Sequence, residues 1–105
     1  MKPHEKAQRL LDGETIISCE PGNSMTPVLK SRQPVRLAPI SEEIKRGDIV
    51  FCKVRGNYYT HLVTAVGKRG YLISNNHGHV NGWTKHVYGK VVEILSYEHK
   101  KEARL

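Results

Sequence analysis

The sequence is poor in cysteine and in long apolar stretches, and both shortages narrow the classes of protein it can belong to. Cys19 and Cys52 are the only cysteines, and they form no C-x-x-C pair. That spacing argues against a metal knuckle and a disulfide framework, so we interpret both as small buried apolar side chains. No apolar run approaches the roughly 20 residues of a membrane span, and residues 1–13 lack the apolar centre of a signal peptide. We therefore expect a cytoplasmic protein without a membrane partner.

Acidic residues are also scarce. The chain has 10 Asp and Glu against 17 Lys and Arg, a net charge of +7. Its only aspartates are Asp12 and Asp48, and no acidic residue lies between Asp48 and Glu93. The excess of positive charge favours acidic partners, including nucleic acid, through a long-range field. No block of five or six like charges occurs, so a solvated basic surface is the simpler interpretation.

The 105 residues suffice for one domain, 1–105, with one modest core. Apolar residues make up 38% and charged residues 26%, a composition typical of folded chains. A short helix is predicted over Lys6–Leu11 and ends at Gly13, so residues 1–13 form an N-terminal arm. Residues 96–105 are read as a polar tail.

The remainder predicts a mostly β fold. β-Branched and alternating stretches indicate strands over residues 14–20, 34–40, 48–54, 58–66, 71–75 and 85–95, the last one bent at Gly89. Turn signals every 8–12 residues are typical of a meander. Pro34 and Pro39 confine the second strand to a sheet edge, or else lie at its ends. Ser41 is predicted to cap one helical turn, and residues 76–83 to form an irregular loop.

The segment P-G-N-S-M-T-P, residues 21–27, presents a serine at a bend. A serine is a weak nucleophile unless a base takes its proton, so Ser24 needs a partner. Of the six histidines, only His61 lies in the core of a predicted strand, on the same face as Tyr59 and Val63 by alternation. Burial there would keep the imidazole neutral and able to accept a proton. A histidine that only packs in the core is the alternative.

Five features in register resemble the superfamily of LexA-type autopeptidases and type I signal peptidases. They are G-N-S-M-T-P at 22–27, a short strand, the G-D step at 47–48, His61 on the following strand, and a final strand with Gly89. The resemblance covers about residues 20–95. It implies a β-ribbon fold and peptide-bond hydrolysis by a Ser24–His61 dyad, with the Ser24 N–H in the oxyanion hole. Most members have lysine at the His61 position, whereas archaeal and endoplasmic-reticulum signal peptidases have histidine.

The resemblance also implies which residues surround this dyad. Asn76 and Asn81 occupy the positions where histidine-type members carry acids, so an Asp triad from this loop is excluded. An asparagine can still orient the histidine by a hydrogen bond. We assign Asn23, Met25, Asn76 and Asn81 to oxyanion and positioning roles. No cofactor and no metal are expected, and the substrate is a protein or peptide.

Three other interpretations stay open at this stage. One is a catalytically inactive module of the same fold that binds a peptide or protein. Another is a basic β domain that binds nucleic acid through its aromatic side chains, Tyr58, Tyr59, Tyr71, Trp83 and Tyr88. A weaker one is a metal held by His77 and His79 with His86. A homodimer is also open.

Overall fold

The computed structural model describes residues 1–97, which form one short helix and seven strands. The elements are α1 Pro3–Leu11, β1 Ile16–Cys19, β2 Pro34–Pro39, β3 Ile49–Val54, β4 Asn57–Gly67, β5 Gly70–Ser74, β6 Val80–Thr84 and β7 Val87–Ile94. The predicted mostly β character and the N-terminal helix are confirmed. Most of the predicted polar tail, from residue 98 onward, lies outside the described residues.

All seven strands belong to one antiparallel sheet with the order β1-β2-β7-β3-β4-β5-β6. Strands β3 to β6 follow one another as a meander, as their turn spacing predicts. Strand β7 then returns across the sheet and lies between β2 and β3. This insertion places β2 inside the sheet, so Pro34 and Pro39 are tolerated because they are its first and last residues.

Alternation along the strands gives the sheet two buried faces. Phe51 and Leu37 lie on one face with Met25 and Leu10, and helix α1 covers them. On the opposite face Val50, Cys52, Val54, Val63 and Ile73 pack together. Strand β7 continues through Gly89, beside which its pairing with β3 shifts register, and a side-chain Cβ at Gly89 would lie 2.8 Å from Leu10 Cδ1. The absence of a side chain at Gly89 therefore lets the helix approach the sheet.

Three local predictions differ from the structure. The helix begins at Pro3 rather than at Lys6, because proline is well suited to the first helical turn. Residues 41–48 contain no helix; the Asp48 carboxylate accepts a hydrogen bond from the Lys45 N–H at 2.9 Å and forms a turn instead. The predicted loop 76–83 contains most of strand β6, which pairs with β5.

Among residues 1–97, no helix combines the length and the apolar character needed to cross a membrane.

Candidate functional site

Ser24 lies on the connection between β1 and β2, in a run of tight turns. The Met25 side chain is 5% exposed and anchors this run in the core beside helix α1. The Thr26 N–H donates to Asn23 O at 3.2 Å, and the Leu29 N–H donates to Met25 O at 2.9 Å. Ser24 is therefore held on both sides by hydrogen-bonded backbone, and its own side chain is half-buried.

The loop between β5 and β6 supports the same turn from a second direction. The Asn76 N–H donates to Ser24 O at 2.8 Å, and Asn76 Nδ2 donates to Thr26 O at 3.0 Å. His77 Nε2 lies 3.0 Å from Asn23 O and 3.0 Å from Thr26 Oγ1. Asn76 thus positions the turn that carries Ser24, and His77 has turn contacts that the sequence interpretation did not foresee.

His61, on β4, is 8% exposed and brings the site together. Its Nε2 lies 3.1 Å from Ser24 Oγ, and its Nδ1 lies 2.7 Å from Asn81 Oδ1. Because an amide oxygen only accepts hydrogen bonds, His61 Nδ1 carries the proton of the neutral ring and donates a hydrogen bond to Asn81 Oδ1. The lone pair of Nε2 is then free to accept the Ser24 hydroxyl hydrogen. The Tyr59 ring stacks on the imidazole with centroids 4.8 Å apart.

The environment of His61 favours a neutral ring. Burial is the largest influence and lowers the His61 pKa from its ordinary value of 6.5. The hydrogen bond to Asn81 and the charge of Glu20 act in the opposite direction, while His79 lowers the pKa further. The net direction is downward, so the imidazole is uncharged at pH 7. A neutral imidazole beside a hydroxyl can act as a general base.

The backbone N–H of Ser24 is the donor that the resemblance assigns to the oxyanion. Within residues 1–97, no described hydrogen bond uses the Ser24 N–H. Asn23 is exposed, and its carbonyl oxygen is engaged by Thr26 and His77. The oxyanion roles inferred for Asn23 and Met25 stay predictions. Both residues accept backbone hydrogen bonds in the turn that carries Ser24.

A small cavity of about 40 Å³ adjoins Ser24. Its apolar wall includes Met25, Leu29 and Val35. The Glu20 carboxylate lies at its polar side, where Thr60 Oγ1 donates to it at 2.7 Å and Lys6 Nζ approaches to 3.7 Å. The sequence interpretation missed the contact between Glu20 and Thr60, because the two residues lie 40 positions apart and no motif links them.

Apart from Tyr59, which stacks on His61, and His77, which contacts the turn, the remaining candidate residues make no described hydrogen bond or ring contact with Ser24 or His61 within residues 1–97. Cys52 is buried, and burial, followed by the charge of Glu20, raises its thiol pKa to about 12, in line with an apolar packing role; Cys19 is half-buried. In the described part of the chain, no cluster of three or more His, Cys, Asp or Glu side chains could hold a metal ion. Four of the five aromatic side chains proposed as one platform are divided between the two faces of the sheet, with Tyr58 and Tyr88 on one face and Tyr59 and Tyr71 on the other.

Comparison of the chain with known protein families, curated proteins and solved structures finds no match.

Proposed function

We propose that the chain is a serine peptidase of the LexA and signal-peptidase type, with Ser24 as nucleophile and His61 as general base. One observation carries the proposal: Ser24 Oγ, the His61 ring and Asn81 Oδ1 form a continuous hydrogen-bonded series. A nucleophile, a base and a group that orients the base are the three parts of a serine hydrolase site. Asn81 takes the orienting role.

The reaction follows from these positions. His61 Nε2 removes the hydroxyl proton as Ser24 Oγ attacks the carbonyl carbon of the substrate, and the Ser24 N–H donates to the developing oxyanion. The imidazolium then gives the proton to the leaving amine, which leaves an acyl group on Ser24. Water activated by His61 hydrolyses this acyl-enzyme. Asn81 keeps the ring oriented but, being neutral, stabilises the imidazolium less than a carboxylate would.

Within residues 1–97, the part of β4 before Leu62 has no strand partner on its β5 side, and this supports an extended peptide as the substrate. Val63 exchanges hydrogen bonds with Gly47 and Asp48 on the β3 side of β4. By the alternation of an antiparallel strand, the backbone groups of Tyr58 and Thr60 point to the other side. Pairing with β5 begins only at Leu62, and Thr60 lines the same cavity as Ser24. A peptide added at this edge would meet the nucleophile, as in other β-augmented complexes.

The adjoining cavity supports a preference for a small aliphatic side chain next to the cleaved bond. Its volume of about 40 Å³ and its wall of Met25, Leu29 and Val35 suit a small apolar group. The Glu20 carboxylate is already engaged by Thr60 and approached by Lys6. A basic side chain would have to compete with both contacts, so we propose that the cavity discriminates against it.

A fluorophosphonate probe tests this function directly, because it reacts with an activated serine. We expect one adduct per chain, which peptide mass spectrometry maps to Ser24. Ser41 is exposed and lies outside the site, so Ser41→Ala should be labelled like the unmodified protein. A folded protein that forms no adduct, or an adduct on a different serine, would contradict a peptidase and favour a module that binds peptides without cutting them.

A further inference from the structure

Most of the net positive charge of the chain falls between Asp48 and Glu93, because this stretch has no acidic residues. Residues 49–92 contain six Lys and Arg and no Asp or Glu. Four of the six line one groove of about 640 Å³, together with Trp83, His86 and Tyr88. We call it the basic groove; its cations are Lys53, Arg55, Arg69 and Lys85. Within the described residues 1–97, no acidic side chain lines it, and none of its lining residues lines the cavity beside Ser24.

The fold brings these cations together from separate connections. Arg55 lies in the β3–β4 turn, Arg69 in the β4–β5 turn, and Lys85 between β6 and β7. A Cβ at Gly70 would lie 2.8 Å from Lys85 Cγ, so this glycine lets the turn with Arg69 approach Lys85. A Cβ at Gly82 would lie 3.5 Å from Arg55 Nε, which places the guanidinium against β6.

Backbone hydrogen bonds fix the walls of the basic groove. Thr84 Oγ1 donates to Lys53 O at 2.6 Å and accepts from the His86 N–H at 2.9 Å. The Lys53 N–H donates to His86 O at 2.9 Å. Strand β3 is thereby tied to the segment that carries Lys85 and His86. A site held in this way needs little rearrangement to bind a ligand.

No carboxylate of residues 1–97 forms an ion pair with the groove's cations. The ion pairs described within residues 1–97 involve Lys6, Arg9, Arg36 and Lys90, none of which lines the groove. Lys53 Nζ lies instead over the Tyr58 ring, 5.1 Å from its centroid. Like charges gathered without counter-charges create a local positive potential that attracts anions.

The backbone at Arg55 supplies an independent argument. Arg55 has a φ of +50° and Gly56 has a φ of +85°, so both central residues of the hairpin turn have positive φ. Turns of this kind favour Asn-Gly or Gly-Gly, because most side chains are strained in the left-handed region. An arginine there costs stability that asparagine would not, and such strain is often retained for function.

We propose that the basic groove binds a short single strand of nucleic acid. The four cations would contact phosphates, and a base would stack on Trp83, which is half-buried and has its six-membered ring against Gly67. An acidic peptide would satisfy the cations but would leave the aromatic side chains of the groove without a partner. Positive charge combined with aromatic rings is the usual arrangement in proteins that bind single strands.

Trp83 is the only tryptophan, so its fluorescence reports on the basic groove. We expect an oligothymidylate of about 12 nucleotides to quench this fluorescence. With three or four phosphates contacted, the slope of log affinity against log salt should be about −2 to −3. Pyrophosphate and polyglutamate, which carry charge without bases, should bind more weakly and should not quench. Absence of quenching at low salt, or equal affinity for either competitor, overturns the proposal.

Two variants that each remove one positive charge distinguish binding in the basic groove from attraction by the net charge of the protein. Arg55→Asn should keep or raise the melting temperature, weaken oligonucleotide binding by about tenfold and make the salt slope shallower by about 0.7. Arg46→Gln removes an equal charge at the far end of β3, roughly 20 Å away, and should change affinity less than about twofold. Equal losses in the two variants overturn the proposal. Ser24→Ala should bind as the unmodified protein does, since this site does not depend on the peptidase.

Discussion

Ser24→Ala is expected to abolish labelling by a fluorophosphonate, and His61→Ala is expected to lower the labelling rate by about 10²–10⁴-fold. The first variant removes the attacking oxygen. The second removes the nitrogen that lies 3.1 Å from this oxygen and would accept its proton. Without that base the hydroxyl stays protonated near pH 7 and reacts slowly. The measurement is the rate of adduct formation at fixed probe concentration, with folding checked by circular dichroism.

His77→Ala is the matched control for His61→Ala. His77 contacts Asn23 and Thr26 in the same turn but has no described contact with the Ser24 hydroxyl. Its loss should loosen the turn and slow labelling less than about tenfold. If His61→Ala reacts as fast as the unmodified protein, another base must be acting, and Lys30 at the adjoining cavity would be the first to replace.

Phe51→Ala is expected to lower the free energy of unfolding by about 3–5 kcal/mol. Phe51 is 1% exposed on the central strand β3. Its ring stacks on Tyr58 with centroids 5.7 Å apart and lies 6.2 Å from the Tyr88 ring. It also belongs to the core cluster that holds Met25, so its removal leaves a cavity in the core that anchors the turn carrying Ser24. Urea unfolding measures the effect as a lower midpoint.

Val66→Ala is the control for this core variant. Val66 lies on the neighbouring strand β4 but is 51% exposed, so the change should cost less than about 0.5 kcal/mol. A loss below about 1 kcal/mol in Phe51→Ala would contradict the packing described for this face. Comparable losses in both variants would contradict it as well.

The local parts of the site could be predicted because short-range patterns encode them. The Gly and Pro residues around Ser24 mark a turn, and strand alternation places His61 with Val63 rather than with Thr60. Asn81 was expected near the histidine only from the resemblance. That Asn81 orients the ring while Asn76 holds the turn depends on how the β5–β6 loop folds, which periodicity does not encode.

Long-range placement was beyond the sequence for a physical reason. Strand β7 pairs with β2 and β3 because of packing across the whole sheet. The residues of β7 alone do not indicate which strands will be its neighbours. Strand β6 could not be predicted because Asn81 and Gly82 are residues typical of loops. Gly82 nevertheless lies inside the strand, with a φ of +137°. The basic groove could not be predicted for the same reason. Its cations are dispersed along the sequence, and the fold brings them together from strand β3 and from three connections between strands.

The pH dependence of Ser24 labelling tests the central claim most directly. Because burial lowers the His61 pKa, the rate should fall as the ring takes up a proton, with a midpoint below the ordinary histidine pKa of 6.5. In Asn81→Asp, a carboxylate beside Nδ1 stabilises the imidazolium, so the midpoint should rise by about 1–2 units and the plateau rate should increase. Asn76→Asp, which does not contact the ring, should leave the midpoint in place. A flat profile, or a midpoint above about pH 8 that Asn81→Asp does not move, would contradict a neutral His61 base oriented by Asn81.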